Sequence, residues 1–272
     1  MLEIKDVSFS YGKQQIVRNV SLSLLHGEIV GLIGENGVGK TTLMKVISGI
    51  YKPDQGKISI KSERIGMLIE YPCIYDNLSV FNNMEFFRNL YNESKARMEE
   101  IMKIIGIWGF RKKSAKKLSL GMKQRLGVAI ALLASTEVVL LDEPTNGLDP
   151  SGILDLLNAI KKFSELNDTT FMISSHIFQN LEDICKDIYI IHDCVLEDIY
   201  NIEGKYTHSI SLPRERYNQV VSFLKQTDTP YQIGEDNNIC VSNLTDNKEF
   251  IEELNRMDAV IQKRRLQEVY FE

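Results

Sequence analysis

The sequence predicts an α/β fold: a parallel-sheet core, an antiparallel β subdomain ahead of it, a helical subdomain inserted into it, and a small α+β appendage behind it. Three observations predict this. From Glu28 onward, short buried apolar runs alternate with helix-spaced segments, the pattern of a parallel sheet with helical crossovers. The first 25 residues instead alternate apolar and polar positions, as half-buried antiparallel strands do. Beyond about residue 205 the composition changes and the motifs stop, so the expected domains are 1–205, with its helical part at about 79–134, and 206–272.

Each element has its own justification. Leu2 and Ile4, then Val20, Leu22 and Leu24, repeat with period two on either side of a turn at Tyr11-Gly12. "EIVGLIG", from Glu28, is a buried strand; a Gly-rich turn follows, and "TTLMKVISGI" sets Leu43, Val46, Ile47 and Ile50 on one helical face. "RIGMLIEYPCIYDNLSV", Arg64 to Val80, is a short apolar strand running into a loop that opens on Glu70. The helical subdomain offers Phe81, Met84, Phe86, Phe87, Ile101, Ile104, Ile105 and Trp108 as core, with Trp108 packing rather than stacking on a ligand. "VVLL" (Val138 to Leu141) and "TTFMISS" (Thr169 to Ser175) are two more buried strands, separated by a helix from Gly152 to Phe163. In the appendage, "HSISL" and "NNICVSN" read as strands, and the stretch from Val220 to Lys225 and "NKEFIEELNRM" as helices. It holds no constellation of reactive side chains, which leaves packing, dimer support or regulation as its roles.

Composition narrows the function. The 272 residues are 43% hydrophobic and 25% charged with a net charge of −5, the profile of a globular chain with a real core. The longest apolar runs, such as "VAIALLA" from Val128, fall well short of the roughly 20 residues a membrane span needs. The start, "MLEIKDVSFSYGK", lacks the basic and apolar regions of a signal peptide, so neither membrane crossing nor secretion is expected. Cys73, Cys185, Cys194 and Cys240 form no CxxC pair and read as reduced thiols. An acidic balance argues against a nucleic-acid partner, whose phosphates need a basic surface. The single basic cluster, "RKKSAKK" from Arg111, reads as a solvated face.

The turn before the first predicted helix carries the chemistry. "GENGVGKT", Gly34 to Thr41, matches the P-loop pattern and lies between a strand and a helix, as that motif requires. Gly34, Gly37 and Gly39 let successive N–H groups turn inward, and the helix start adds its positive dipole end, which together suit nucleotide phosphates. Lys40 would reach the β and γ phosphates and Thr41 would offer its hydroxyl to Mg²⁺. A second metal-holding acid is expected at a neighbouring strand end, and "VVLLDEP" supplies Asp142. Glu143, pointing the other way off that strand, is then free to align and deprotonate water as general base. His176, at the end of "ISSH", joins them because Gly34, Asp142 and His176 would all lie at carboxyl ends of strands in one parallel sheet.

With those residues in hand, roughly positions 1 to 205 resemble the ATP-binding subunit of an ABC transporter. "LSLGMKQR" (Leu118 to Arg125) looks like the ABC signature ahead of "VVLLDEP", although Leu120 and Met122 depart from the commonest form LSGGQ; "NGLD" (Asn146 to Asp149) looks like the D-loop. The resemblance implies ATP and Mg²⁺ as cofactors, with Tyr11 stacked on adenine and Asn36 and Thr42 beside the P-loop residues. It also implies a head-to-tail dimer in which Ser119 and Gly121 of one subunit complete the other's site. A polytopic membrane permease would be the partner, at the cytoplasmic face of a bacterial membrane.

The resemblance also gives Glu70 a setting. ABC subunits usually carry there a Gln that reaches toward Mg²⁺ and the attacking water, on a loop that touches the membrane partner. A Glu followed by "YPCIYDNLSV" is similar to the subgroup serving exporters of bacitracin and lantibiotic peptides, so Glu70 joins the catalytic and metal candidates. The ending "RRLQEVYFE" resembles the tail of many ABC export ATPases. Two other classes compete: a soluble ABC ATPase of chromosome maintenance or translation, which usually brings a long coiled coil or a second ATPase domain, and a P-loop GTPase or kinase, for which the NKxD pattern is missing.

Overall fold

In the computed structural model the described residues are 2–62, 64–135, 137–198, 208–227, 229–233, 238–241 and 248–263. The chain divides into two compact units, Met1–Tyr200 and Asn201–Glu272. The ending "RRLQEVYFE" lies outside the described residues.

The first unit begins with the expected hairpin. β1 (Leu2–Tyr11) and β2 (Gln14–Leu24) pair antiparallel around the turn at Gly12, and β4 (Gln55–Ile60) covers the other edge of β1, giving the order β2-β1-β4. Behind it stands a six-stranded sheet of order β5-β6-β7-β3-β8-β9. β3 (Ile29–Ile33), β5 (Ile65–Leu68), β6 (Val138–Leu141), β7 (Thr170–Ser175) and β8 (Asp187–His192) run parallel, and β9 (Val195–Asp198) turns back antiparallel on β8. Every residue of β3, β6 and β7 is buried, as central strands with both faces covered must be.

The helix α1 (Lys40–Ile47) leaves β3 through the Gly-rich turn and buries Leu43, Met44, Val46 and Ile47. One apolar cluster contains these residues together with Leu2, Ile4 and Phe9 of β1, Leu32 of β3, and Val138 and Leu140 of β6. α1 is thereby clamped between the two sheets, which fixes the loop that precedes it. Between β6 and β7, α5 (Pro150–Asn167) starts at an Asp149 cap with Pro150 in its first turn, the residue types that favour a helix start. The connection from β7 to β8 carries only the single turn α6 (Gln179–Glu182).

The helical subdomain consists of α2 (Val80–Tyr91), α3 (Lys95–Ile104) and α4 (Leu120–Ala134). Ser79, Ser94 and Ser119 cap them, each accepting a backbone N–H three residues on, at about 1 kcal/mol apiece. Met84, Phe87, Ile101 and Ile105 are buried as expected, and Phe81 and Ile104 partly so. Phe86 is not core: it is 42% exposed and meets Tyr75 edge-on at 4.8 Å, because it lies off the buried face of α2 that Val80, Asn83, Met84 and Phe87 make. Trp108 is half-buried, with the Arg111 guanidinium 4.3 Å and the Lys103 ammonium 5.3 Å from its ring, so it is not fully core. Among the described residues no helix is long and apolar enough to cross a membrane.

The second unit holds the two expected strands, β10 (His208–Ser211) and β12 (Ile239–Val241), and the two expected helices, α7 (Tyr217–Gln226) and α8 (Lys248–Arg256). It also holds two strands that composition does not announce, β11 (Tyr231–Ile233) and β13 (Val260–Lys263), at the edges of an antiparallel sheet of order β11-β12-β10-β13. The succession β-α-β-β-α-β in that order is the ferredoxin-like arrangement. Ile210, Val220, Leu224, Ile239, Val241 and Leu254 form its core.

Candidate functional site

The parallel strands deliver their carboxyl ends to one edge of the six-stranded sheet, and the site is assembled there. After β3 the chain turns through Gly34–Gly39 into α1. Gly39 has φ 120°, and a Cβ on it would lie 2.9 Å from the Ile16 side chain, so only glycine fits the turn. Gly39 offers α1 no side-chain cap, which leaves the first N–H groups of the helix available to a ligand. Lys40 is 5% exposed; its Nζ donates to Gly34 O at 2.6 Å and Glu35 O at 3.1 Å and lies 3.3 Å from Glu143 Oε1. Asn36, Gly37, Gly39, Lys40, Thr41 and Thr42 line one cavity of about 210 Å³, which Tyr11 and Glu143 also border.

Thr41, Asp142 and Ser174 form a chain of hydroxyls around one carboxylate. Thr41 Oγ1 donates to Asp142 Oδ2 at 2.7 Å, and Ser174 Oγ donates to Asp142 Oδ1 at 2.6 Å. The same Ser174 Oγ accepts the N–H of Glu143 at 2.8 Å. The parallel register of β6 on β7, with Leu141 beside Ile173, is what brings Ser174 to the Asp142-Glu143 pair. No motif announces Ser174.

Glu143 adopts φ 46°, an uncommon conformation for a non-glycine residue, and Gln124 of α4 donates to its carbonyl at 3.2 Å. Its Oε2 lies 2.8 Å from His176 Nδ1. Its Oε1 is buried without a hydrogen bond, since the 3.3 Å approach of Lys40 is an ion pair lacking hydrogen-bond geometry. Glu143 borders the cavity, and a carboxylate oxygen left without a hydrogen bond is suited to take a proton from a ligand or a water. The hard oxygens of Thr41 and Asp142, side by side, are donors of the type Mg²⁺ takes, and one or two protein oxygens suffice where phosphates and waters fill the rest of an octahedron. Both therefore fit the metal.

Tyr11, at the end of β1, is 46% exposed, with Phe9 and Tyr51 meeting its ring edge-on at 5.1 and 5.7 Å. Its phenol is lowered from the ordinary value, first by a hydrogen bond with Thr42 and then by one with Tyr51. Glu70 follows β5 with φ 62° and is bonded elsewhere than to the Thr41–Asp142 pair. Its Oε1 accepts from Lys45 Nζ at 2.6 Å, and that bond raises the lysine above its usual range. Ser119 and Gly121 are not brought to the P-loop cavity of the same chain. They line a second one of about 320 Å³ with Met122, Arg125, Leu148 and Asp149. Ser119 Oγ there accepts the Met122 N–H at 3.3 Å, and a Cβ on Gly121 would sit 2.5 Å from Leu148.

Comparisons with known proteins give the family. Residues 17–146 match the family model described as "ABC transporter". The chain is 36% identical over 230 residues to the "Lantibiotic transport ATP-binding protein SrtF" of Streptococcus pyogenes, covering 79% of this chain and 100% of that one. It is 37% identical over 212 residues to the "Bacitracin transport ATP-binding protein BcrA" of Bacillus licheniformis, covering 73% and 69%. Among solved structures, "Structure of ATP binding subunit of ABC transporter" superposes with a TM-score of 0.65 at 28% identity, over 72% of this chain and 88% of the other.

Proposed function

The chain belongs to the ABC transporter family, as an ATP-hydrolysing ATP-binding subunit, and we propose that it drives a separate membrane permease exporting an antimicrobial peptide of the bacitracin or lantibiotic kind. The observation that carries the chemical part is the convergence of Lys40, Thr41, Asp142, Ser174, Glu143 and His176 on one sheet edge. The peptide part rests on the transport relatives and on Glu70 with the loop after it. Those relatives are transport proteins, which disfavours the soluble, non-transport alternative.

In this reading the P-loop N–H groups and Lys40 bind the β and γ phosphates, and Tyr11 offers its ring to the adenine. Thr41 and Asp142 would hold Mg²⁺, which would supply positive charge against the phosphates. Ser174, donating to Oδ1, fixes the orientation of the Asp142 carboxylate. Glu143 orients the attacking water and accepts its proton, and His176 holds the other oxygen of that carboxylate in place. Bulk water must be excluded around the one attacking water, and a second subunit, contributing its own Ser119 and Gly121 from the signature cavity, does this in a head-to-tail dimer. The Glu70 loop touches the permease at the cytoplasmic face of the membrane. The ferredoxin-like unit serves packing, dimer support or regulation.

The test is co-expression with a candidate polytopic membrane permease, in a bacitracin- and lantibiotic-sensitive host. Protection that disappears with Glu143→Gln supports the proposal. ATP hydrolysis in membranes with no protection against any peptide of either class would overturn the export assignment.

A further inference from the structure

Lys45 has no part in the P-loop pattern, yet its position is specific. It lies four residues after Thr41 on α1, so the two share one helical face about one turn, roughly 6 Å, apart. Thr41 bonds Asp142, while Lys45 bonds Glu70 across 25 residues of sequence. The two acids come from adjacent strands, since β5 pairs with β6 and the Asp142 N–H donates to Leu68 O at 2.7 Å just before the Glu70 loop. Glu70, Asp142 and Glu143 therefore bring three carboxylates to the edge where a polyphosphate must also bind. Lys40 faces Glu143 and the P-loop carbonyls, and the hydroxyls of Thr41 and Ser174 satisfy Asp142. Glu70 has Lys45.

A neutral amide at position 70 would need no counter-charge; an acid there does, because a further uncompensated carboxylate at the edge that takes the polyphosphate opposes binding. The lysine side chain is the more enclosed of the two, with the acid half-exposed, so the acid is drawn to a fixed ammonium rather than the reverse. Lys45 also reaches the aromatic cluster beside the P-loop: its Nζ lies 5.7 Å from the Tyr51 ring centroid, and Tyr51 in turn abuts Tyr11.

We propose that Lys45 is a positioning residue that ties the Glu70 carboxylate to α1 and neutralises it, allowing an acid in this loop to coexist with bound nucleotide. The proposal rests on the reading that the P-loop cavity takes ATP, and it extends that reading from the phosphate-binding residues to the loop that meets the permease.

The test is a double-mutant cycle on the full chain, with MgATP affinity measured by titration calorimetry for wild type, Lys45→Met, Glu70→Gln and the pair combined. With Glu70 present, Lys45→Met is expected to weaken MgATP about tenfold; in the Glu70→Gln background, the same change is expected to cost less than about twofold. Lys45→Arg, which restores the charge, should recover most of the loss, and the Lys45→Met defect should shrink in high salt because the pair is partly exposed. Thermal melting identifies unfolded variants, and Lys45→Gln replaces Lys45→Met in the cycle if the latter does not fold. An equal loss in both backgrounds, or none in either, overturns the proposal while leaving ATP binding standing. A wild-type chain that does not bind MgATP overturns the ATP reading and the proposal with it.

Discussion

Replacing Glu143 with Gln separates what that side chain does for chemistry from what it does for binding. The two residues have the same shape, and the amide can still meet His176 Nδ1, 2.8 Å from Oε2 in the native site, so no cavity opens and little stability is lost. What goes is a base and a negative charge. Loss of a general base costs about 10²–10⁴ in rate, or about 3–5 kcal/mol of barrier. The charge acts in the other direction. At 3.3 Å from Lys40, Glu143 Oε1 competes with the γ-phosphate for the ammonium. Coulomb attraction at an effective dielectric of about 20 is about 5 kcal/mol at that distance, but most of it is offset by desolvation and reappears as attraction to phosphate. A net gain of about 1 kcal/mol remains, about fivefold tighter ATP binding. The assay pairs single-turnover phosphate release with equilibrium nucleotide binding on the same preparation. The expected result is turnover down by at least about a hundredfold with ATP retained or tightened. Hydrolysis close to the wild-type rate would refute the role of Glu143, and parallel loss of binding and hydrolysis would show the carboxylate to be structural.

Three further outcomes follow from the geometry. Asp142→Asn should lower the Mg²⁺-dependent part of ATP affinity and leave binding in EDTA little changed, as calorimetry with and without chelator will determine; equal affinity with and without metal in the wild type would contradict the metal assignment. In the Glu143→Gln background ATP should drive dimerisation, visible by light scattering, and Ser119→Arg should abolish it; because Ser119 also caps α4, melting must be followed alongside for a loss of about 1 kcal/mol. Thiol reactivity should divide sharply: Cys73 is exposed and should react first, whereas burial pushes the Cys185 thiol up to about 12, leaving ~10⁻⁴ of it as thiolate at about pH 8, so mass-mapped alkylation of the folded chain that labels Cys185 as fast as Cys73 would contradict the packing around β8.

Local patterns are legible in the sequence and long-range partners are not. The turn from β3 into α1 can be read because its glycines, lysine and threonine are consecutive, and the buried strands because their apolar runs are unbroken. Ser174 cannot be singled out: it contacts Asp142 across 32 residues, and a serine in a buried strand carries no signal until the register with β6 is known. Lys45 looks from sequence like any polar residue on an amphipathic helix, and the family resemblance directs the Glu70 loop toward a membrane partner rather than toward a lysine of the same chain. Hydrophobicity alone turns Phe86 inward, although α2 presents too narrow a buried face to accommodate both it and Phe87. The edge strands β11 and β13 are three and four residues long, too short for periodicity to declare them, and the ferredoxin-like order depends on both.

The place of β3 in its sheet bears on how the chain is made. Both of its neighbours, β7 and β8, lie about 140 residues or more downstream, so the strand that leads into the phosphate loop has nothing to pair with when it leaves the ribosome. At about 5–20 residues per second the wait lasts on the order of 7–30 s, with the all-apolar stretch "IVGLI" exposed or only loosely covered by the hairpin and α1. Such late, non-local pairing is slow and prone to aggregation, and it makes this segment a natural client for chaperones. A nascent chain arrested before Thr170 would hold the complete P-loop sequence and yet lack the strand beside which that loop is held.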